Sequence, residues 1–232
     1  MRILNVIATV LAMSLPVLAA AETPMPMISV SGEGRVEIAP DMATVSLGVT
    51  NEADTATSAL SANSEAVASV LERLAKAGVE ARDIQTSGLS LGPRYDYNSS
   101  GGAPKLTGYV ASNTVTVRVR ALETTGNILD LVVAGGANTL NGLSFGLQND
   151  QTARDEARTR AVADAARKAE LYAKAAGVTL GPILSIREAG SDPAPIPMMM
   201  AEASFAKGGD VPVSGGELDI RAGITIVYRL QE

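Results

Sequence analysis

Six alanines at four-residue intervals, Ala153, Ala157, Ala161, Ala165, Ala169 and Ala173, constrain this chain more than any other feature. They lie in a helix-forming stretch from about 151 to 176, where Asp150 or Thr152 can cap the start and Gly177 can close the end. Four-residue spacing keeps all six near one face of the helix. A face built of methyl groups offers no protruding side chains, so whatever covers it must bring its own backbone close. Two partners fit: a sheet or helix of the same chain, or a second copy in an assembly. Burial within the chain is the usual fate of such a face, and alanine is also the best helix former. Glu156 to Arg160 and Asp164 to Lys168 are i,i+4 pairs in the favourable order, worth about 0.2–0.5 kcal/mol each.

The rest of the chain alternates between two periods. Val45, Leu47 and Val49 alternate with Thr44, Ser46, Gly48 and Thr50, and Val115, Val117 and Val119 with Thr114, Thr116, Arg118 and Arg120. A period of two marks half-buried strands. Further strands are expected over 28–38, 84–92 (with Tyr95 and Tyr97 extending it), 139–148, 180–188 and 217–230. Pro40-Asp41 reads as a tight turn, and Asn98 to Pro104 as a hairpin-like loop. Helical spacing returns over 55–77, with Leu60, Val67, Val70, Leu71 and Leu74 on one stripe and Gly78 after it, and over 123–134, ending at Gly135-Gly136. The expected fold is α+β: a mixed, largely antiparallel sheet with three helices packed on it, built from repeated strand–helix–strand units. Strict alternation predicts one apolar and one more polar sheet face. Leu74 to Val79 and Tyr172 to Val178 echo each other, either as weak internal repetition or as shared helix-end chemistry. Residues 189–216, rich in Gly, Pro, Ala and Met, are expected to form a mobile linker.

Residues 1–21 read as a cleavable signal peptide. Arg2 supplies the positive end, Ile3 to Leu18 the uncharged apolar stretch, and Ala19 to Ala21 the small residues, with cleavage between Ala21 and Glu22. The stretch is short for a membrane span, which needs about 20 residues. No Cys follows that could carry a lipid, and no transmembrane span is expected after cleavage. A Pro- and Met-rich lead occupies 22–27, and the main domain runs over 28–230. The formal net charge is −6, and loss of Arg2 with the leader makes it −7. An acidic chain repels phosphate backbones, and with no Trp and two Phe it offers few stacking surfaces, so no nucleic-acid partner is expected.

Missing residue types remove most chemistry. There is no Cys and no His, hence no disulfide, thiolate nucleophile, imidazole base or HExxH site. No catalytic residue, cofactor or metal site is expected. Gly32-Glu33-Gly34 lacks a third glycine at dinucleotide-binding spacing and reads as a bulge or kink in an edge strand. Gly208-Gly209 and Gly215-Gly216 lack the Lys-Ser/Thr of a phosphate loop. Asp41, Glu52 and Asp54 fall near strand ends, where an enzyme could use carboxylates, although solvated turn charges have the same appearance. Asn98-Ser99-Ser100 fits a glycosylation sequon, which matters only in a eukaryotic secretory pathway. Of six methionines beyond the leader, Met25, Met27, Met198, Met199 and Met200 lie in loop-like segments. Met198 to Met200 are the weak candidates for binding Cu(I) or consuming oxidants, against a reading as plain linker composition.

Several segments together resemble the SIMPL domain (DUF541): Ile28 to Gly34, Ala39 to Thr44, Asn113 to Arg120, and the alanine-rich Ala153 to Gly177. The likeness extends over 28–230 and is distributed rather than held in one motif. The resemblance implies an exported protein of the bacterial periplasm or envelope. The group includes a periplasmic antigen and a protein described as defending against oxidative stress, and some members are similar to a ring-shaped, channel-like oligomer. It implies a homo-oligomer, with an envelope protein as a further partner, and brings no catalytic residues. Three functions follow as expectations: a non-enzymatic periplasmic oligomer with an envelope or oxidative-stress role, a methionine-loop binding or scavenging protein, and a carboxylate-dependent enzyme.

Overall fold

The computed structural model describes residues 25–97, 103–189, 196–198 and 214–231. The α+β class holds. The strands divide into two sheets, each wholly antiparallel in its described pairings. The expected leader with its expected cleavage point at Ala21–Glu22, most of the loop after Tyr97, and Met199 and Met200 lie outside the described residues.

The first sheet contains β1 (Met27–Ile38), β8 (Glu217–Gln231) and β6 (Thr179–Glu188) in the order β1-β8-β6. A three-residue strand inside the expected linker, β7 (Ile196–Met198), also pairs with β8. The second sheet has the order β3-β4-β2-β5, from β3 (Ile84–Asp96), β4 (Lys105–Val119), β2 (Met42–Ala53) and β5 (Thr139–Gly146). The chain passes from one sheet to the other at Pro40-Asp41. Proline cannot donate to a ladder, so β1 ends there and a new strand can start at a different angle. The Asp41 N–H is bonded to the Gly146 carbonyl at 3.1 Å, which ties the corner to β5.

Helix α1 (Ala56–Lys76) starts where Thr55 Oγ1 accepts from the Ser58 N–H at 3.1 Å. Helix α2 (Thr125–Gly135) stops at Gly136, φ 117°, and α3 (Gln151–Ala176) at Gly177, φ 73°, both left-handed conformations that suit glycine. Asp150 does not cap α3 with its side chain, which is drawn instead to Arg154. Asn149 Oδ1 accepts the Gln151 N–H at 3.0 Å in its place. The echo at the helix ends is a shared stop motif: Val79 N–H reaches the Leu74 carbonyl and Val178 N–H the Ala173 carbonyl, both at 3.0 Å. Ala137 and Val132 make the same bond after α2.

Helices α1 and α2 cover one face of the second sheet. Val45, Leu47, Val49, Val115, Val117 and Val119 meet Val67, Val70, Leu74, Leu129 and Val132 in one continuous core. Each such side chain contributes about 1.5–3 kcal/mol by leaving water. Helix α3 covers the first sheet differently. Its six alanines are all buried, against β1 and β8. The alanine face is therefore filled within the chain and is not an assembly face.

Candidate functional site

Gly32 and Gly34 explain how the alanine face is filled. A Cβ on Gly34 would stand 1.9 Å from the Ala157 carbonyl oxygen and 2.6 Å from the Ala161 nitrogen. One on Gly32 would stand 2.1 Å from the Ala161 carbonyl oxygen. The two glycines let the backbone of β1 rest on the backbone of α3. β1 is an edge strand as expected, yet it pairs with β8 at twelve successive positions without a shift, so the glycines are no bulge. Close packing, rather than a kink, requires them.

That close approach lets α3 reach the open edge of β1. Lys168 Nζ donates to the Ser31 carbonyl at 3.0 Å, Asp164 Oδ2 accepts the Glu33 N–H at 3.1 Å, and Arg160 Nη1 donates to the Arg35 carbonyl at 2.5 Å. Three side chains four residues apart thus occupy alternate backbone groups that another strand would need. Asp164 is also paired with Lys168 at 2.7 Å and Arg167 at 2.6 Å. These contacts, with the hydrogen bond from Lys168 foremost, hold its carboxyl well below the usual range.

The carboxylates singled out in the sequence are not brought together. Asp41 sits at the corner before β2, while Glu52 and Asp54 lie at the far end, about 35 Å away along an extended strand. Asp41 Oδ1 accepts the Gln148 N–H at 2.7 Å, and Glu52 pairs with Arg94 at 2.5 Å. Two other carboxylates, missed in the sequence, are the buried ones. Asp83, just before β3, receives both prongs of Arg120 at 2.6 and 2.7 Å, with Arg118 at 3.6 Å. The Arg120 hydrogen bonds hold the Asp83 carboxyl below its usual value against the opposing effect of burial. Gln148 then links the Arg120 carbonyl to the Asp41 carbonyl through Nε2, at 3.1 and 3.0 Å. Asp219, on β8, is buried between Arg35 at 2.9 Å and Arg221 at 2.5 Å. Arginines flank both aspartates, which suits joining strands, and Arg120 favours the ionised form of Asp83.

Asn63 was missed too. It lies mid-helix on the buried stripe of α1, and its Nδ2 donates to the Val49 carbonyl at 2.7 Å and the Ala111 carbonyl at 3.2 Å. Its position four residues before Val67 and seven before Val70 was the available signal. Of the methionine candidates, Met198 lies in β7 opposite Glu217, while Met199 and Met200 lie outside the described residues; Met25 Sδ accepts from Arg229 at 2.7 Å. Among the described residues no three carboxylates cluster as metal ligands. No described helix is long and apolar enough to cross a membrane.

What the structure does expose is apolar surface along the other sheet edges. Leu89, Leu91, Tyr95, Tyr97 and Leu106 are exposed on the β3–β4 hairpin. Val133 and Leu140 are exposed beside β5, and Ile183, Leu184 and Ile186 on β6.

The comparisons with known proteins extend over almost the whole chain. The SIMPL profile, described as a protein of unknown function (DUF541), matches residues 28–228. The 26 kDa periplasmic immunogenic protein of Brucella melitensis is 38% identical over 211 residues, covering 88% of this chain and 84% of that protein. The uncharacterized protein YggE of Edwardsiella ictaluri is 35% identical over 190 residues, covering 81% and 79%. YggE of Escherichia coli is 32% identical over 200 residues, covering 86% and 78%.

Proposed function

The chain belongs to the SIMPL (DUF541) family, and on that premise we propose that it is a non-enzymatic periplasmic protein that works as a homo-oligomer in envelope maintenance or defence against oxidative stress. The observation that carries the assembly is the contrast between sheet edges. Side chains of α3 fill the backbone groups of β1 at Ser31, Glu33 and Arg35. The β3 edge instead carries exposed Leu89, Leu91 and Tyr95. An open strand edge with apolar side chains favours pairing with another chain. The periplasmic assignment is supported by the relative named a periplasmic immunogenic protein and by the leader-like residues 1–21. The non-enzymatic reading is supported by the chain's lack of His and Cys and by the pairing of both buried aspartates with arginines.

Light scattering on the chain, expressed with its own leader and purified from the periplasmic fraction, tests the assembly. A discrete multiple of the processed mass at micromolar concentration is expected, and a strict monomer contradicts it. Peroxide survival of cells lacking the gene tests the stress role: survival equal to the parent's, with an unaltered envelope permeability, counts against it.

A further inference from the structure

We propose that the β3–β4 hairpin is the surface through which two copies of this chain meet, with β3 pairing antiparallel to β3 of the second copy about a two-fold axis near Ser90. The proposal rests on the homo-oligomer reading above and says where that contact lies. Beyond Pro93 and Tyr109 the β3–β4 hairpin outruns β2 and continues as two strands alone, which are marginal in water. Only Ile84 and Gly92 along β3 are even half-buried, and Leu89 and Tyr97 are 62% and 75% exposed. At thirteen residues, with register breaks between Ser87 and Ser90 and between Arg94 and Tyr95, β3 also offers a longer edge among the described residues than β5, which has eight and a break of its own.

Charge selects a second copy as the occupant. The chain as a whole carries −6, so two copies repel over most of their surface. The hairpin is nearly neutral by contrast. It holds Arg94, Asp96, Lys105 and Arg118; Arg94 is paired with Glu52, Arg118 lies 3.6 Å from Asp83, and Lys105 stands opposite Asp96. Like chains can therefore approach there with least repulsion.

Shape points the same way. A hollow of about 330 Å³ lies between the end of α1 and the base of β3, lined by Leu71, Ala75, Val79, Ala81, Ile84 and Thr86. Tyr95 and Tyr97, with ring centres 6.3 Å apart, stand at the opposite end of the same strand. Antiparallel pairing sets the tip of one β3 beside the base of the other. The tyrosines of each copy then fall next to the hollow of its partner, and Leu91 of each lies near Leu89 of the other. One two-fold contact satisfies both hollows, and the two four-stranded sheets join into one of eight.

The chain has no cysteine, so a single introduced thiol reports the contact cleanly. The S90C variant, prepared through its own leader, is oxidised and run without reductant, while light scattering reports assembly and a thermal melt confirms folding. Most of the protein is expected as a disulfide-linked dimer, because directly opposed strand residues have Cβ atoms about 4.5–5.5 Å apart. L91E is expected to keep its melt and to weaken self-association by about tenfold or more, since a charge would be buried in the pair. An oligomer that forms no disulfide through S90C and is untouched by L91E overturns the proposal and leaves the homo-oligomer reading standing. Cross-linking only when S144C on β5 is added to S90C also overturns it, in favour of head-to-tail pairing. A monomer at every concentration overturns both.

Discussion

The two sheets reach the same two-layer arrangement by opposite packing chemistries. Over β1 and β8, helix α3 offers only alanine methyls, and Gly32 and Gly34 let backbone approach backbone. Over β2 and β4, branched side chains from strand and helix interdigitate around Val45, Leu47, Val70 and Leu74. The first half has no room for an added atom. The second half owes its stability to atoms already present, so removal harms it most. The same difference shows at the edges. Close approach puts Arg160, Asp164 and Lys168 within reach of the β1 backbone, whereas α1 and α2, held off by bulky side chains, leave the hairpin edge without a neighbour among the described residues.

Gly34→Val should break the contrast most severely. Its Cβ would meet backbone atoms of Ala157 and Ala161, which cannot rotate away, so a loss of at least about 4 kcal/mol in chemical denaturation is expected. A loss below about 1 kcal/mol would mean that α3 shifts freely and that the close packing is not required. In the other half, Leu74→Ala is expected to cost about 3 kcal/mol by leaving a cavity in the α1 core. Asn63→Ala should cost about 2 kcal/mol, because the Val49 and Ala111 carbonyls lose their donor inside the core.

The smallest effect is in the pH profile. The Asp164 carboxyl is held below its usual range, so its contribution is fully present above about pH 4 and is lost as the pH falls through the lowered value. D164N removes that dependence. Urea melts of the variant should therefore change less between about pH 4 and about pH 2 than those of the parent. Identical acid limbs would show that the Glu33 and Lys168 contacts do not stabilise the ionised form.

Periodicity made the elements legible. The alternation at 44–50 and 114–120 and the helical stripes at 55–77, 123–134 and 151–176 all lie within the observed elements or overrun them by a few residues. Local pattern does not say which strands share a sheet, because pairing joins residues far apart, such as Val30 with Ile226. Hence one sheet was expected where Pro40-Asp41 separates two. Charge misled in the same way. Asp219 alternates with apolar residues in β8 and so reads as a solvent-facing position, yet Arg35, which buries it, is over 180 residues away. Gly32 and Gly34 stand out in the sequence, but their reason is the carbonyl groups of a helix more than 120 residues later. The open β3 edge could not be read at all, since an edge is defined by the absence of a neighbour.

Helix α3 closes the β1 edge, and the β3 edge is the one proposed to pair. Hydrogen exchange read by mass spectrometry on dilute and concentrated protein separates the two. Amides of residues 84–96 on β3 are expected to slow as the concentration rises and chains assemble, while those of residues 31–35 on β1 keep the same rates. Slowing confined to β1, or unchanged β3 amides in a sample that light scattering shows to be assembled, would contradict it.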